Sequence, residues 1–189
     1  VNEPVSNSDV PFVSVDNFGG ARVATEYLIS QGHRRIAFIG HSTSKAVNML
    51  REQGYRAALE GQGIMVDPSL ILDGDGTTES GRQATEHMFV RDVLPTAFFC
   101  VNDATALGVI IALNARRYDL PRQFSVMGFD DISFASFVTP SLTTMKQPRI
   151  KIGEEAMDLL LALLEGKPPR HKEVLLRAEL IVRNSVNRV

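Results

Sequence analysis

Strand-length apolar runs alternate with stretches of helical period along nearly the whole chain, and this alternation constrains the fold more than any other feature. The runs are PFVSV at 11–15, RIAFIG at 35–40, LILDG at 70–74, TAFFCV at 96–101 and FSVMGF at 124–129. Most are continuous rather than alternately polar, as expected for parallel strands covered on both faces. Between them, DNFGGARVATEYLISQG supplies a turn and a helix with Val23, Tyr27 and Leu28 on one side and Gly32 as its C-cap. Further helices are predicted over 49–63, over 77–90 with Thr78 and Ser80 as competing N-caps, and over 102–117, opened by Asn102 or Asp103. The clearest amphipathic pattern, 149–167, lines up Ile152, Ala156, Leu159, Leu160 and Leu163 and stops at Gly166. The segment 173–183 closes the chain as one strand or a bent pair. Strand and helix joined by short links predict an α/β fold, a parallel sheet with helices on both faces.

Composition narrows the function. With 44% apolar and 22% charged residues, the 189-residue chain has ample material for a core. No apolar run reaches the roughly 18 residues that cross a membrane. The single cysteine, Cys100, excludes an internal disulfide, and no charged-then-apolar leader opens the chain. A cytoplasmic location is therefore expected. The chain begins with Val1 in a polar stretch, VNEPVSNSDVP, so a fragment is expected. A net charge of −2 argues against this piece gripping nucleic acid unaided. The densest basic cluster, His33-Arg34-Arg35, reads as a solvated turn.

In an open parallel sheet, ligands settle beyond the carboxyl ends of the strands. Polar groups recur there: Asp16 and Asn17 after the first run, a polar loop leading to Arg51 after the second, Asp75 and Thr77 after the third, Asn102 and Asp103 after the fourth, Asp130 and Asp131 after the fifth. Carboxylates, amides and an arginine suit a polyhydroxylated ligand, whose hydroxyls both donate and accept. For Asp16, Asp103 and Asp131 a second reading stays open, that each caps a helix. Catalytic readings are weaker. Adjacent residues on a strand point to opposite faces, which suits Asp130 and Asp131 poorly for sharing a proton. His41-Ser42 lacks a G-x-S-x-G elbow, and Cys100 lies inside an apolar strand. The four histidines lack metal-ligand spacing, and GDGTTESG fits no phosphate-binding fingerprint. No enzyme, metal or cofactor is expected.

Five segments in register also carry a resemblance: VDNFGGARVATEYLISQGHRRIAFIG, REQGYRAAL, PTAFFCVNDATALGV, LPRQFSVMGFDDISFASFVTPSLTTMKQPRIKIGEEAMDLLL and the terminal LIVRNS. With these the chain resembles the effector-binding region of the lactose-repressor (LacI/GalR) family of bacterial transcription regulators. The resemblance implies two Rossmann-like lobes of periplasmic-binding-protein type, the first incomplete here, with crossovers near Gly32, near Pro140 and after the 150–166 helix. On that reading 1–31 and 141–166 are the remnant of the N-terminal lobe, while 34–138 and 170–189 form the C-terminal lobe. The family's helix-turn-helix DNA-binding domain is absent, so operator DNA would be bound only through that missing part. The resemblance also implies a homodimer and a small effector between the lobes: a sugar, a sugar derivative, or a nucleoside or purine. Its ligand contacts map onto Asp16, Arg51, Asn102, Asp130 and Gln147, leaving Asp103 and Asp131 as caps. Arg51 is then a contact residue whose loss spares the fold. An aromatic ring that stacks on sugars in many members falls at Gly76, with Phe134 or Phe137 as substitutes. A solute-binding protein of the same fold is the alternative.

Overall fold

The structure, a computed structural model, describes residues 10–42, 45–90, 94–167 and 171–189. Its main sheet has six strands: β2 (Ile36–His41), β3 (Ile71–Asp73), β4 (Ala97–Cys100), β5 (Ser125–Asp130), β6 (Thr143–Lys146) and β8 (Glu179–Ile181). They lie in the order β3-β2-β4-β5-β6-β8, all parallel except β8, which runs antiparallel to β6. The outcome matches the α/β expectation.

Strand alternation sorts the apolar side chains onto two faces. Ile36, Phe38, Phe99, Met127 and Phe129 face one side, against α1 (Asn17–Ser30) and α2 (Ala46–Gly61). Ala37, Ile39, Phe98, Cys100 and Val126 face the other, against α3 (Thr78–Met88) and α4 (Asp103–Ala115). All ten are buried, which explains why the central runs read as continuous apolar segments. Each such Phe, Ile or Met contributes about 1.5–3 kcal/mol of burial. On the first face Tyr55 is fully enclosed. Its hydroxyl donates to Ile36 O at 2.7 Å and its ring lies 5.4 Å from that of Phe38. On the second, α3 and α4 touch backbone to backbone. A side chain on Gly108 would collide with Thr78 O, and one on Gly81 with Thr105 O.

A second, two-stranded sheet pairs β1 (Phe12–Val15) in parallel with β7 (Glu173–Leu176), and α5 (Arg149–Leu164) packs on β1. The 173–183 segment is therefore the bent pair, split between sheets at Arg177 and Ala178. The elements group differently from the boundaries read in the sequence. Helix α1, expected in the first lobe, lies along α2 on the main sheet, because Ala21, Ala24 and Leu28 complete the core around Phe38 and Phe129. Strand β6, also expected there, is a main-sheet strand. The chain thus passes between the sheets at Asp16, Gln147 and Arg177–Ala178 rather than near Gly32 and Pro140.

Other local expectations are corrected by packing. Val23 stays 43% exposed, since small alanines rather than valine let α1 approach α2. On α5 only Ile152 is buried, and Leu160 and Leu163 remain exposed on the side away from β1, the strand the helix packs on most. Thr77, not Thr78 or Ser80, caps α3, its Oγ1 accepting from Ser80 N at 3.1 Å. His33 is buried, not solvated. Thr96 Oγ1 lies 2.9 Å from Nδ1, and Nε2 donates to Asn187 O at 3.0 Å, pinning the C-terminal tail. Gly32 does follow α1 with φ +98°, the left-handed residue that ends the helix. No helix among the described residues is long and apolar enough to cross a membrane.

Candidate functional site

The carboxyl edge of the main sheet holds a cavity of about 370 Å³, within the range of small-molecule sites. Four of the five residues singled out from the sequence line it: Arg51 from α2, Asn102 from the start of α4, Asp130 from the end of β5 and Gln147 from the crossover to α5. They are separated by up to 96 residues in the chain, and only the parallel order of β2, β4, β5 and β6 brings them together.

Arg51 is the centre of the arrangement. Its side chain is only 5% exposed. Nε donates to Asn17 Oδ1 at 2.9 Å, one terminal nitrogen donates to Val101 O, and the other lies 3.5 Å from Asp130 Oδ1. Its guanidinium carbon sits 3.7 Å from the centroid of the Phe129 ring. Burial pulls its pKa down to about 10, with Asp130 and then Asp103 opposing the shift, so it stays charged at neutral pH. The expectation that Arg51 supplies ligand contacts without supporting the fold is thereby corrected, because it joins α1, α2, β4 and β5.

Asp130 keeps a side chain 26% exposed. Gln147 Nε2 donates to Oδ1 at 2.5 Å, the same oxygen that meets Arg51. Burial raises the Asp130 pKa, and the Arg51 charge works against that rise. Asn102 caps α4, its Oδ1 accepting from Thr105 N at 2.8 Å while Nδ2 donates to Gly76 O at 2.9 Å. It therefore holds the 74–77 loop against the helix while forming part of the wall.

Asp16 is not among the lining residues. It caps α1 by accepting from Gly19 N at 2.8 Å and borders an adjoining groove with Phe18 and Leu50. Asn17 takes the inward place, its Oδ1 receiving Arg51 and its Nδ2 donating to Val15 O at 3.1 Å. The spacing D-x-x-G signals the cap, but no local signal marks Asn17, whose inward place is set by Arg51, a residue 34 positions on. Asn48, one helical turn before Arg51, also lines the cavity and donates to Gly40 O at 2.9 Å. An i, i+3 search from Arg51 would have found it. Lys45 and Asp75 complete the rim, joined by a bond from Lys45 Nζ to Asp75 O.

The two carboxylates assigned as caps do something else. Asp103 is buried, and Asp131 pairs with Arg183 at 2.7 Å. Asp131 does turn the chain, with φ +54°, but it caps no helix. Neither Phe134 nor Phe137 lines the cavity, and Phe137 is 82% exposed. The described wall has two apolar side chains, Val47 and Val101, and no aromatic ring. An open groove of about 500 Å³ along β3 and α3 is larger, but it lacks a buried charge aimed into it.

A family model described as a periplasmic binding protein-like domain matches residues 25–186. Among curated proteins, the HTH-type transcriptional repressor CytR of Escherichia coli K12 is 40% identical over 184 residues, covering 97% of this chain and 54% of that protein. The chain spans about half the length of the curated relatives it matches. Among solved structures, the E. coli transcriptional repressor AscG superimposes with TM-score 0.85 at 31% identity, over 98% of this chain and 68% of that one. A complex of the transcriptional regulator CelR with cellobiose superimposes with TM-score 0.91 at 33% identity, over 97% of this chain and 57% of that one.

Proposed function

Since the chain belongs to the periplasmic-binding-protein-like domain family, within its LacI-type transcriptional regulators, we propose that it is the effector-sensing part of a cytoplasmic repressor. The observation that carries this reading is the convergence of Arg51, Asn102, Asp130 and Gln147 on one cavity at the sheet's carboxyl edge. Asp130 accepts from a ligand hydroxyl through Oδ2, while Gln147 and Asn102 hold the neighbouring wall. Arg51 supplies a positive potential that works against the rise burial imposes on the Asp130 pKa. The groups present both accept and donate, which fits a neutral, hydroxyl-rich molecule such as a sugar or nucleoside. The cellobiose complex of a similar regulator supports that class.

In the whole protein, effector binding shifts the balance between two lobe arrangements, and a homodimer carries the change to DNA-reading segments outside this chain. The main sheet with α1–α4 is the complete lobe, and β1, β7 and α5 belong to its partner lobe. The regulator relatives favour this role over solute capture. A thermal-shift panel of sugars, sugar acids, nucleosides and purines tests it, because a ligand of the native state raises its melting point. At least one member should stabilise the chain, and Asp130→Asn should reduce that shift by weakening affinity about tenfold or more. Equal shifts in parent and variant would reject the assignment.

A further inference from the structure

We propose that Asp103 is a positioning residue for this site: its buried carboxylate ties the turn carrying Asp130 to the strand leading to Gln147 and so fixes both side chains over the cavity. This rests on the effector-site reading above.

The two strands leave the sheet side by side, Asp130 of β5 standing in register with Lys146 of β6. Beneath that edge Asp103 Oδ2 accepts from Ile132 N at 2.9 Å, just past the Asp130–Asp131 turn. Its other oxygen, Oδ1, accepts from Thr144 Oγ1 at 2.5 Å, on β6. At the tip Gln147 meets Asp130. Asp103 therefore closes a ring: Ile132 and Asp130 on one arm, Thr144 and Gln147 on the other.

The turn needs such a clasp. Asp130 and Asp131 follow one another with φ +119° and +54°, a left-handed pair that side-chain-bearing residues rarely adopt and that persists only where surroundings over-determine it. Arg183 holds the Asp131 carboxylate and Arg149 donates to its carbonyl at 3.0 Å, but only Asp103 holds the backbone N–H that follows. Capping does not account for Asp103, because Asn102 already caps α4. The site is also cleared for it: a side chain on Gly128 would collide with Asp103 Oδ1. A buried carboxylate is costly, and desolvation pushes this one up to about 7. Charged or titratable groups facing it are Asp130 and Asp131 on the turn, Arg51 on α2 and Cys100 on β4.

The test is hydrogen exchange at Ile132 N–H and the side-chain amide signal of Gln147, read by NMR without ligand. Four chains are compared: the unmutated one, Asp103→Ala, Asp103→Asn, and Val109→Ala as a packing control. Asp103→Ala should speed Ile132 exchange roughly tenfold or more beyond the control, as loss of a charge-assisted hydrogen bond implies. It should also erase the hydrogen-bonded shift of the Gln147 amide. Asp103→Asn should restore both, since Asn Oδ1 can accept from Ile132 while Nδ2 donates to Thr144 Oγ1. Control-like exchange in Asp103→Ala overturns the proposal. Should that variant not fold, Thr144→Val decides, because it removes only the donor that ties Asp103 to β6: the Gln147 amide signal should shift, and an unshifted signal overturns the proposal. No ligand enters these readouts, so failure of the effector reading would leave them standing, and the converse also holds.

Discussion

Replacing Arg51 by alanine sets two large effects against each other. The loss leaves Val101 O and Asn17 Oδ1 without their donor, at about 1–3 kcal/mol for each group that water cannot reach. The cation–ring contact with Phe129 adds about 1–2 kcal/mol. The Asp130 pair adds less, under about 1 kcal/mol, because it is long and Asp130 is partly solvated. Against these stands the relief of burying a guanidinium. A pKa drawn down from 12.5 to about 10 corresponds to roughly 3 kcal/mol. The adjoining cavity lets water reach part of the vacated space, so the acceptor losses fall near the lower end of their range. The net is a destabilisation of about 1–2 kcal/mol, too large for a residue that serves ligand alone. Urea unfolding followed by far-ultraviolet circular dichroism at neutral pH measures it. Arg51→Met should lose about 1 kcal/mol less than alanine, since it keeps contact with Phe129 without a charge to desolvate. Arg51→Lys should be no better than alanine, because it keeps the charge and loses the fork. A lysine variant as stable as the parent, or an alanine variant within about 0.5 kcal/mol of it, would refute the reasoning.

Three further predictions use the same measurement. Asp103 has a folded-state pKa raised from 3.8 to about 7, so the native state holds its proton more tightly than the unfolded chain. Its contribution is present below about 4 and lost as pH rises to about 7, by up to about 4 kcal/mol, and Asp103→Asn should flatten that slope. His33 acts oppositely: burial lowers its pKa, so its contribution is present above 6.5 and lost as pH falls below it, a slope that His33→Gln should remove. Gly108→Ala should cost about 1–3 kcal/mol by pushing α3 from α4, whereas Gly61→Ala, with open space around it, should stabilise by about 0.5–1 kcal/mol. Equal effects of the two alanines would contradict the packing described for α3 and α4.

The elements were legible because their signals are local. Continuous apolar runs mark β2, β4 and β5, and glycine marks the end of α1, from residues within a few positions of each other. Caps were legible only in part. The sequence leaves Asp16 open to both readings and the fold makes it a cap, while Asp103 stands at a cap position and is instead drawn beneath β5 and β6. The placing of α1 on the main sheet was not legible for a related reason. Nothing within 17–30 states which sheet will receive Ala21, Ala24 and Leu28, since either could bury them.

By itself, then, the order of amino acids determined the strand and helix sequence, the parallel layering and the edge where polar groups gather. Tertiary structure decided which of those groups meet: Arg51 and Asp130, 79 residues apart, are joined only once β2, β4 and β5 are aligned. It also decided that Arg51 is held inside the fold and that Asn17 rather than Asp16 turns inward. The physical reason is one of range. Backbone propensity and periodicity act over a turn or a strand, whereas burial, counter-charge and hydrogen-bond partner are set by whatever distant segment the register brings alongside.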